Sequence, residues 1–443
     1  MLEQHLNPLT RKPHQLNLPR GMKDFESTEQ SKIEYVREKF LQTCQSFGFH
    51  FMNPSPLELV SVIEAKSGPT IRDEIYFFTD KGDREIALRF DFTIGLTRYV
   101  VSQKSLKLPA KIAAFGGVWR YDEPQRGRYR YFHQWDLEIY GKPSLESDAE
   151  IIEFTSKFFS KLHLKNITID ISNRKLVEQV VTKTFESTDQ KVVLDIFRAI
   201  DKIQKKKKDE ILEEYQQKGY SKEKLEEILE FSKIKGDPEH VEKEYDVSGL
   251  SGWSEIKELF ASLKNRGVDN IRINFGIVRG LDYYSGIVFE AFDSSSDVGA
   301  LVGGGRYDNL PKAFGRDDLG ATGVAGGIER IILSLEGQGL EIKNPMPEIS
   351  VLFVNEEMQM PAINIASKLR DLDMQVEIDL VGRQFRKQME NASNSKFTVI
   401  VAPKEFSSNQ IVLKNMIDGT ESVISTEKLF SEYKTLFNLK TLG

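Results

Sequence analysis

The first 170 residues combine helical and strand patterns of apolar positions. Ile33, Val36, Phe40 and Leu41 form one apolar stripe at helical spacing and Gly48 follows it, so we predict a helix over residues 28–47. Later apolar runs predict strands and helices in alternation. The strands are expected at 75–79, 85–92, 113–120 and 131–140, and the helices at 94–102 and 145–162.

The pattern changes near residue 174. Residues 174–245 are rich in Lys and Glu and predict several helices, whereas strand-rich sequence resumes at 271–275 and 287–292. The helical segment is therefore interpreted as an insertion. Its run "KKKKDE" at 205–210 is interpreted as a solvated helix face. Glycine-rich strands and a helix over 328–335 complete this part.

The last hundred residues form a separate pattern. The linker "EGQGLEIKNPMPE" carries two glycines and two prolines. After it, three predicted strands alternate with two helices, and a hairpin around Asp418-Gly419 precedes a last helix at 427–436. The strands are expected at 349–354, 375–379 and 398–402, and the helices at 362–372 and 384–392. We interpret this part as a separate α/β domain.

Composition limits the class of protein. With 443 residues, 40% hydrophobic and 29% charged, the chain predicts a soluble globular protein of two to four domains. No apolar run approaches the roughly 20 residues of a membrane span, and the N-terminus lacks the apolar core of a secretion signal. A mitochondrial signal stays open but is not favoured, because the basic N-terminus has no clear amphipathic repeat.

Charge and cysteine content exclude other classes. The net charge of −6 argues against a protein that coats nucleic acid nonspecifically, although a local basic surface is compatible with it. Cys44 is the single cysteine, which rules out an intramolecular disulfide and a multi-cysteine zinc site. The six histidines are scattered, so we expect no cluster of protein ligands for a metal.

Two predicted strands carry rows of polar side chains. In "LRFDFT" the alternation places Arg89, Asp91 and Thr93 on one face, and in "YFHQWDLEIY" it places Gln134, Asp136 and Glu138 on one face. A sheet with one face toward water explains such rows. The alternative is a sheet whose polar face forms the floor of a ligand pocket.

Arginine-rich and glycine-rich loops favour the pocket. The loop "RYDEPQRGRYR" places four arginines within eleven residues, and guanidinium groups bind phosphate in a fork geometry. The run "GGGRYDNL" allows close approach of the backbone, but its spacing is not that of a dinucleotide-binding fingerprint. In "GATGVAGGIERIIL", Arg330 falls in the first turn of a helix, where the dipole favours an anion, although a structural salt bridge would also explain it.

The stretch "VRGLDYYSG" at 278–286 is harder to explain as a turn. It lies between two predicted strands, and it carries Arg279 and two tyrosines in addition to its glycines. A turn requires the glycines but not a cation and two phenols. A decorated loop and a functional segment are both compatible with these residues alone.

These motifs together resemble a known family. The segment "FGGVWRYDEPQRGRYRYFHQWDLEIYG" resembles motif 2 of the class II aminoacyl-tRNA synthetases, and "GVAGGIERIILSL" resembles their motif 3. "VRGLDYYSG" and "GGGRYDNL" resemble the two signatures of the histidyl-tRNA synthetase family. Motif 1 matches weakly, and either Pro54 or Pro56 corresponds to its proline.

The resemblance covers nearly the whole chain and implies an α+β multidomain fold. It implies the class II antiparallel sheet flanked by helices, with a helical insertion and a C-terminal α/β anticodon-binding domain. The implied divisions are a catalytic domain in two parts (1–172 and 246–336), the insertion (173–245) and the anticodon-binding domain (348–443).

The resemblance also implies an ATP site. Arg120 would bind the α-phosphate, Arg128 the γ-phosphate, and Arg330 the phosphates from the other side. Asp122 stands where the family has a Glu near the adenine, which makes that contact less certain. Arg279 is implied as the cation between the substrate carboxylate and the α-phosphate, and with Arg120 it would be catalytic.

The implied histidine-binding and tRNA-binding residues lie in several segments. Asp91, Thr93 and Gln134 would hold the α-amino group, while Glu138 and Tyr284 would bond the imidazole and Tyr307 would close the pocket. In "GRQFRKQME", helical spacing is expected to put three basic residues on one face toward the anticodon. The implied tRNA-binding residues are Arg126, Arg383, Arg386 and Lys387.

The implied activity is ATP-dependent. L-Histidine would be activated to histidyl-adenylate with release of pyrophosphate, then transferred to the 3′ end of its tRNA by a cytoplasmic homodimer that uses ATP with Mg²⁺. The alternative is a non-catalytic, synthetase-like regulatory subunit of histidine biosynthesis. Such paralogues usually lack the C-terminal domain and part of the catalytic set, whereas this chain retains Arg120, Arg279 and Arg330.

Overall fold

The computed structural model describes residues 17–123, 129–203, 206–278, 284–340, 342 and 349–437. The chain divides into two compact units, Met1–Ile342 and Lys343–Gly443. Among the described residues, no helix is both long enough and apolar enough to cross a membrane.

The first unit begins with helices and strands in mixed order. Up to residue 173 these are α1 (Ser27–Phe47), β1 (His50–Phe51), β2 (Leu57–Leu59), α2 (Val60–Ser67), β3 (Phe77–Thr79), β4 (Glu85–Leu88), α3 (Thr93–Ser102), β5 (Ala110–Trp119), β6 (Tyr131–Gly141), α4 (Leu145–Lys161) and β7 (Ile167–Asn173). The predicted helix at 28–47 and the two long strands are confirmed.

The remainder of the first unit contains the predicted helical segment and then returns to strands. The helical segment comprises α5 (Arg174–Phe185), α6 (Gln190–Lys202), α7 (Lys208–Gln217), α8 (Lys222–Phe231), the short β8 (Lys235–Gly236) and α9 (Pro238–Glu244). After it come α10 (Trp253–Asn265), β9 (Ile271–Asn274), β10 (Ile287–Asp293), β11 (Ala300–Arg306), α11 (Asn309–Ala313), β12 (Gly320–Gly327) and α12 (Ile328–Gly337).

A nine-stranded sheet organises this unit. Its strand order is β1-β5-β6-β12-β11-β10-β7-β9-β8. The pairs β1–β5 and β7–β9 are parallel, and the other neighbours are antiparallel. The predicted antiparallel sheet with flanking helices is therefore present, with parallel pairs toward its two sides.

One face of this sheet packs on helices α1 and α4. The Phe40 ring centroid lies 5.4 Å from that of Trp135 and 5.8 Å from that of Phe154, and all three side chains are fully buried. Aromatic rings at such separations bury large apolar areas in tilted or edge-to-face contacts. Because residues alternate along β6, the polar row Gln134, Asp136, Glu138 faces the other side of the sheet.

The predicted strand at 85–92 is too long. Strand β4 ends at Leu88, in a three-stranded sheet of order β2-β4-β3, and α3 starts at Thr93. Arg89 explains the break, because its buried guanidinium donates to the carbonyls of Gly117 and Pro54, both at 2.9 Å. These bonds turn the chain away from the strand ladder, so Arg89 does not share a strand face with Asp91 and Thr93.

Two further sequence predictions need correction. The strand expected at 75–79 shortens to β3, because residues 69–74 form a 3₁₀ helix. The two strands that flank residues 278–286, β9 and β10, are not joined by a simple turn between neighbours, since β7 lies between them in the sheet. Strand β7 itself was not predicted, although its alternation of Ile167, Ile169 and Ile171 with polar residues is typical of a strand.

The second unit is an α/β domain. Its elements are β13 (Ile349–Phe353), α13 (Gln359–Arg370), β14 (Val376–Ile378), α14 (Phe385–Asn391), β15 (Phe397–Val401), α15 (Pro403–Phe406), β16 (Gln410–Asn415), β17 (Glu421–Ser425), α16 (Thr426–Ser431) and α17 (Tyr433–Leu436). The sheet order is β14-β13-β15-β16-β17. The hairpin at Asp418-Gly419 is confirmed, with Gly419 at φ 77°, whereas the single helix predicted at 427–436 is divided into α16 and α17.

A buried ion pair holds the end of β11 against the start of α4. Arg306 Nε donates to Asp148 Oδ2 at 3.1 Å, and Arg306 Nη2 donates to the Ser144 carbonyl at 2.8 Å. Asp148 is 1% exposed. Its burial raises the pKa of the carboxyl to about 6, and the facing guanidinium acts in the opposite direction.

Removal of one member of this pair should destabilise the first unit strongly. We expect Arg306→Ala to lower its free energy of unfolding by about 3–5 kcal/mol, because Asp148 would remain buried without its counter-charge. Urea denaturation followed by circular dichroism measures the change. Arg84→Ala, which breaks the exposed ion pair with Asp80, is the control and should have little effect. Equal effects of the two substitutions would contradict this assignment.

Candidate active site

A cavity of about 540 Å³ lies over the polar face of the nine-stranded sheet. Its floor is formed by residues of β6, β11 and β12, and the start of α12 forms part of its wall. The cavity brings together eight of the residues singled out in the sequence: Asp91, Thr93, Arg120, Gln134, Glu138, Tyr284, Tyr307 and Arg330. The polar row on β6 therefore faces a pocket and not bulk water.

One end of the cavity holds a carboxylate among phenols. Glu138 is 1% exposed, and the Tyr307 hydroxyl donates a hydrogen bond to its Oε2. Tyr284 packs against the same cluster as Tyr307. A buried carboxylate next to phenol hydroxyls can bind a ligand that carries ring nitrogens.

Glycine on the adjacent strand makes room for this carboxylate. Gly323 lies opposite Glu138 in the β6–β12 ladder, and a Cβ at this position would be 1.5 Å from Glu138 Oε2. The same Cβ would be 2.7 Å from the backbone carbonyl oxygen of Leu137, so no side chain larger than hydrogen fits there unless both the glutamate and this backbone shift. Gly323, in the segment that resembles motif 3, therefore leaves the space that the Glu138 carboxylate occupies.

The middle of the floor is a connected polar group. Gln134 Nε2 donates to Asp136 Oδ2 at 3.3 Å, and Thr93 Oγ1 donates to the same oxygen at 3.4 Å. Asp91 Oδ1 accepts the backbone N–H of Ile94 at 3.2 Å, at the start of α3. The sequence analysis assigned no role to Asp136. Its position between Gln134 and Glu138, at every second residue of the strand, nevertheless indicated that it lies on the same face.

The other end of the cavity is cationic. Arg120 Nε donates to the Phe90 carbonyl at 3.0 Å, and its Nη2 donates to Gln134 Oε1 at 3.1 Å. Arg330 Nη1 donates to the Ala300 carbonyl at 2.8 Å, and this residue is in the first turn of α12. These backbone and amide bonds orient both guanidinium groups, and the dipole of α12 favours an anion at this position.

Glu329 is a pocket residue that sequence reasoning missed. Its Oε1 accepts the backbone N–H of His133 at 2.9 Å, while Oε2 is buried and has no hydrogen-bond partner. The residue is 8% exposed and lines the cavity beside Arg330. The signal was available, because Glu329 directly precedes Arg330 in the motif 3 segment.

Of the remaining predicted site residues of the first unit, one is described and does not line the cavity, and three are not described. Asp122 is not among its lining residues, and its backbone carbonyl accepts a bond from Arg130 Nε at 3.1 Å. Arg126, Arg128 and Arg279 lie outside the described residues. Their roles stay predictions.

The basic residues of the second unit do not all lie on one helix face. Helix α14 begins at Phe385, so Arg383 precedes it, and its guanidinium is paired with Asp379 at 2.8 Å. Arg386 and Lys387 are on the helix, with 93% and 61% of their side chains exposed. The predicted basic face thus consists of Arg386 and Lys387 only.

Family comparisons cover both units. Residues 21–331 match the family model for histidyl-tRNA synthetase, and residues 348–436 match the model for an anticodon binding domain. The first match includes every described residue that lines the 540 Å³ cavity.

Individual relatives agree with these matches over almost their whole length. A histidine–tRNA ligase of Pyrococcus horikoshii is 32% identical over 440 residues, which cover 94% of this chain and 98% of the relative. A histidine–tRNA ligase of Pyrococcus furiosus is 33% identical, with 93% and 96% covered. The fold is similar to a crystal structure of histidyl-tRNA synthetase from Nostoc sp. PCC 7120, with a TM-score of 0.80 at 24% identity, covering 95% of this chain and 99% of that chain. The chain belongs to the histidyl-tRNA synthetase family.

Proposed function

We propose that this chain activates L-histidine with ATP to histidyl-adenylate, releases pyrophosphate, and transfers the histidyl group to the 3′ end of its cognate tRNA. Histidine–tRNA ligation is the activity named for its relatives over more than nine-tenths of both chains. The observation that carries the proposal is one cavity with a buried carboxylate, Glu138, at one end and two guanidinium groups, Arg120 and Arg330, at the other.

Glu138, Tyr307 and Tyr284 suit an imidazole ring. Imidazole presents two nitrogens that act as donor or acceptor, and a site that pairs with both rejects amino acids lacking them by a large factor. Glu138 is held by Tyr307, and Tyr284 lies in the same cavity. The polar group of Asp91, Thr93 and Gln134 then offers acceptors for the α-amino group.

Arg120 and Arg330 suit the triphosphate. In activation, a carboxylate oxygen of histidine forms a bond to the α-phosphorus while the bond to the leaving pyrophosphate breaks. Negative charge develops on the phosphate oxygens, and guanidinium groups already held by backbone bonds stabilise it without reorganisation. Arg279 and Arg128 are assigned here to the same charge, and Asp122 to the adenine side, as the family motifs suggest.

The described residues fit a role for Mg²⁺ with ATP. Magnesium is commonly held by one or two carboxylates together with substrate phosphates, and Glu329 offers a buried carboxylate oxygen without a hydrogen-bond partner beside Arg330. Glu329 would thus help to hold the ion, and the ion when bound would neutralise phosphate charge. His133 orients the glutamate by donating its backbone N–H.

The second unit is proposed to bind the anticodon. Arg386 and Lys387 are exposed on α14, and basic residues near a single-stranded loop contribute charge, stacking and contacts to base edges. Arg383 would contribute only if its pair with Asp379 opened. Arg126 and the helical insertion are assigned to the tRNA body, as the family pattern suggests.

We propose a cytoplasmic homodimer. The three-stranded sheet of the first unit exposes Leu57, Leu59 and Phe78, each 39–49% accessible, and the strand register places all three on one face. Apolar side chains grouped in this way are typical of surfaces buried by a partner. Sedimentation-velocity ultracentrifugation should give twice the mass of 50.7 kDa, and a monomer at micromolar concentration would contradict the proposal.

The regulatory alternative is less favoured. A crystal structure from Bacillus halodurans, titled as an ATP phosphoribosyltransferase regulatory subunit/histidyl-tRNA synthetase, has a similar fold at a TM-score of 0.72. The present cavity, however, contains both Arg120 and Arg330, and the anticodon-binding model matches the second unit. A regulatory protein that does not activate an amino acid has no need for these two arginines together with an anticodon-binding domain.

Aminoacylation tests the proposal. The purified chain with ATP, Mg²⁺ and total tRNA should attach radiolabelled histidine to acid-precipitable tRNA, and omission of ATP should abolish the signal. The other nineteen amino acids, labelled in parallel, should give no charging. Binding of histidine without charging of any tRNA would favour the regulatory alternative.

Gly323→Ala should damage histidine recognition specifically. The new Cβ requires Glu138 and the adjoining Leu137 carbonyl to shift, and displacement of a binding group by about 1 Å costs on the order of 100-fold. We expect kcat/KM for histidine to fall by about that factor. Gly337→Ala, where nothing lies within 4 Å of the added Cβ, is the control. Unchanged histidine kinetics in a folded Gly323→Ala enzyme would contradict the assigned position of Glu138.

A further inference from the structure

A buried carboxylate lies beneath the residues proposed to bind the α-amino group. Asp136 is on the polar face of β6, between Gln134 and Glu138, and it is 0% exposed. It is not among the residues that line the cavity, so a ligand in the cavity does not touch it. Neither the family motifs nor the proposed function assigns it a role.

Two contacts fix the orientation of the Gln134 amide. Its Nε2 donates to Asp136 Oδ2 at 3.3 Å, and its Oε1 accepts from Arg120 Nη2 at 3.1 Å. The opposite orientation would place the NH₂ group against the guanidinium and the carbonyl oxygen against the carboxylate, so both contacts would be repulsive. Because Arg120 lines the cavity and Asp136 does not, the amide oxygen lies on the cavity side.

The same carboxylate oxygen takes the proton of Thr93. Thr93 Oγ1 lies 3.4 Å from Asp136 Oδ2. An ionised carboxylate only accepts, and a hydroxyl has one proton, so Thr93 is the donor and its oxygen offers only lone pairs to a ligand. The contacts of Gln134 and Thr93 with Asp136 are at the long end of the hydrogen-bond range. The main contribution of Asp136 is therefore the direction of these groups.

This part of the cavity consequently presents acceptors. A carbonyl oxygen has two lone pairs, so Gln134 Oε1 can accept a ligand N–H in addition to the bond from Arg120. Thr93 Oγ1 is a second acceptor, and Asp91, which also lines the cavity, adds a carboxylate. An ammonium group has three N–H donors and no lone pair, and it therefore matches this set.

We propose that Asp136 is a positioning residue that makes the cavity selective for an α-ammonium group: by accepting from Gln134 and Thr93, it turns both toward the ligand as acceptors. The inference rests on the proposed function. It deepens that function by naming a determinant of amino-acid selectivity that the substrate does not touch.

Asp136→Ala is the central test, because it removes the acceptor and preserves the Gln134 and Thr93 side chains. We expect the Kd of histidine, measured by titration calorimetry without ATP, to rise about ten-fold. The Kd of 3-(imidazol-4-yl)propionate, which has the imidazole and the carboxylate but no α-amino group, should stay within about two-fold of wild type. A residue that only stabilised the fold would change both constants alike.

Asp136→Asn separates the acceptor from the charge. Its NH₂ group would oppose the NH₂ group of Gln134, so the amide should turn its oxygen to the place of Oδ2. We expect the Kd of histidine to be within about three-fold of wild type. Asp136→Ser, whose hydroxyl is too short to take that place, should behave like Asp136→Ala and provides the same test if the alanine variant does not fold.

Asp293→Ala is the matched control. Asp293 is also a buried aspartate on a strand, 3% exposed at the end of β10, and it does not line the cavity. Like Asp136, it accepts from neutral side chains, here those of Ser295, Ser334 and Gln338. The folded variant should bind both ligands with wild-type Kd.

The outcomes are distinct. An Asp136→Ala protein that binds histidine like wild type, or that loses affinity for both ligands equally, would overturn the inference. An Asp136→Asn protein as defective as Asp136→Ala would also overturn it, because charge and not the acceptor would then be the cause. A wild-type protein that shows the expected binding but no pyrophosphate exchange would refute the proposed function alone, since both dissociation constants are measured without ATP.

Discussion

Glu138→Gln should lower kcat/KM for histidine in adenylate formation by about 1,000-fold. The substitution preserves shape but replaces one carboxylate oxygen with an NH₂ donor, so either the imidazole N–H or the Tyr307 hydroxyl loses its acceptor. Such a mismatch leaves buried polar groups unpaired, and the loss corresponds to about 4 kcal/mol of transition-state stabilisation. The cause lies in burial, since Glu138 is 1% exposed and water cannot substitute for the lost bond.

The Glu138→Gln substitution should change the kinetic constants for histidine and not those for ATP. KM for ATP in the Glu138→Gln enzyme is expected to remain near the wild-type value, because Arg120 and Arg330 are held by the backbone carbonyls of Phe90 and Ala300. Glu255→Gln is a suitable control, since Glu255 accepts a bond from Asn173 outside the cavity. A Glu138→Gln enzyme within ten-fold of wild type would contradict the assignment of this carboxylate to the imidazole.

Arg120→Ala should lower kcat for adenylate formation by about 1,000-fold while leaving histidine binding measurable. Arg120 is held by the Phe90 carbonyl and by Gln134, so its charge is oriented before the substrates bind. Loss of one preorganised donor to a developing oxyanion costs roughly 10²–10³ in rate, and the full charge of a guanidinium places this substitution at the upper end.

Arg120→Lys distinguishes charge from geometry. Lysine retains the charge but not the planar fork, so we expect it to recover only part of the lost rate. The rates are measured by pyrophosphate exchange, and histidine affinity by calorimetry without ATP. Arg316→Ala, which removes a half-buried arginine paired with Asp318 outside the cavity, is the control. A normal kcat in the Arg120→Ala enzyme would remove this residue from the phosphate site.

The sequence predicted the pocket best where local alternation decides side-chain direction. Gln134 and Glu138 face the cavity because β6 is a regular strand. Arg330 lies in the first turn of α12, and the glycines that precede this helix had predicted where it starts. Prediction was poorer where distant segments meet. The bonds of Arg89 to Gly117 and Pro54 end β4 early, and nothing local to 85–92 signals those acceptors.

The same reason explains what the sequence could not supply in the site. Thr93 and Asp136 are 43 residues apart, and their contact requires the packing of α3 against β6. Arg383 pairs with Asp379 in the segment before α14, and the helical spacing of the basic residues did not indicate this partner. The positions of Asp136 and Glu329 on their own elements, by contrast, were recoverable, because both adjoin residues that had already been assigned.

Pyrophosphate exchange into ATP, measured with each of the twenty amino acids in turn, tests the central claim most directly. The account predicts ATP-dependent exchange with histidine alone, since Glu138 and its phenol neighbours are assigned to the imidazole and the two guanidinium groups to the phosphates. Exchange with another amino acid would contradict the pocket assignment. Absence of exchange with all twenty would contradict the assignment of Arg120 and Arg330 to catalysis.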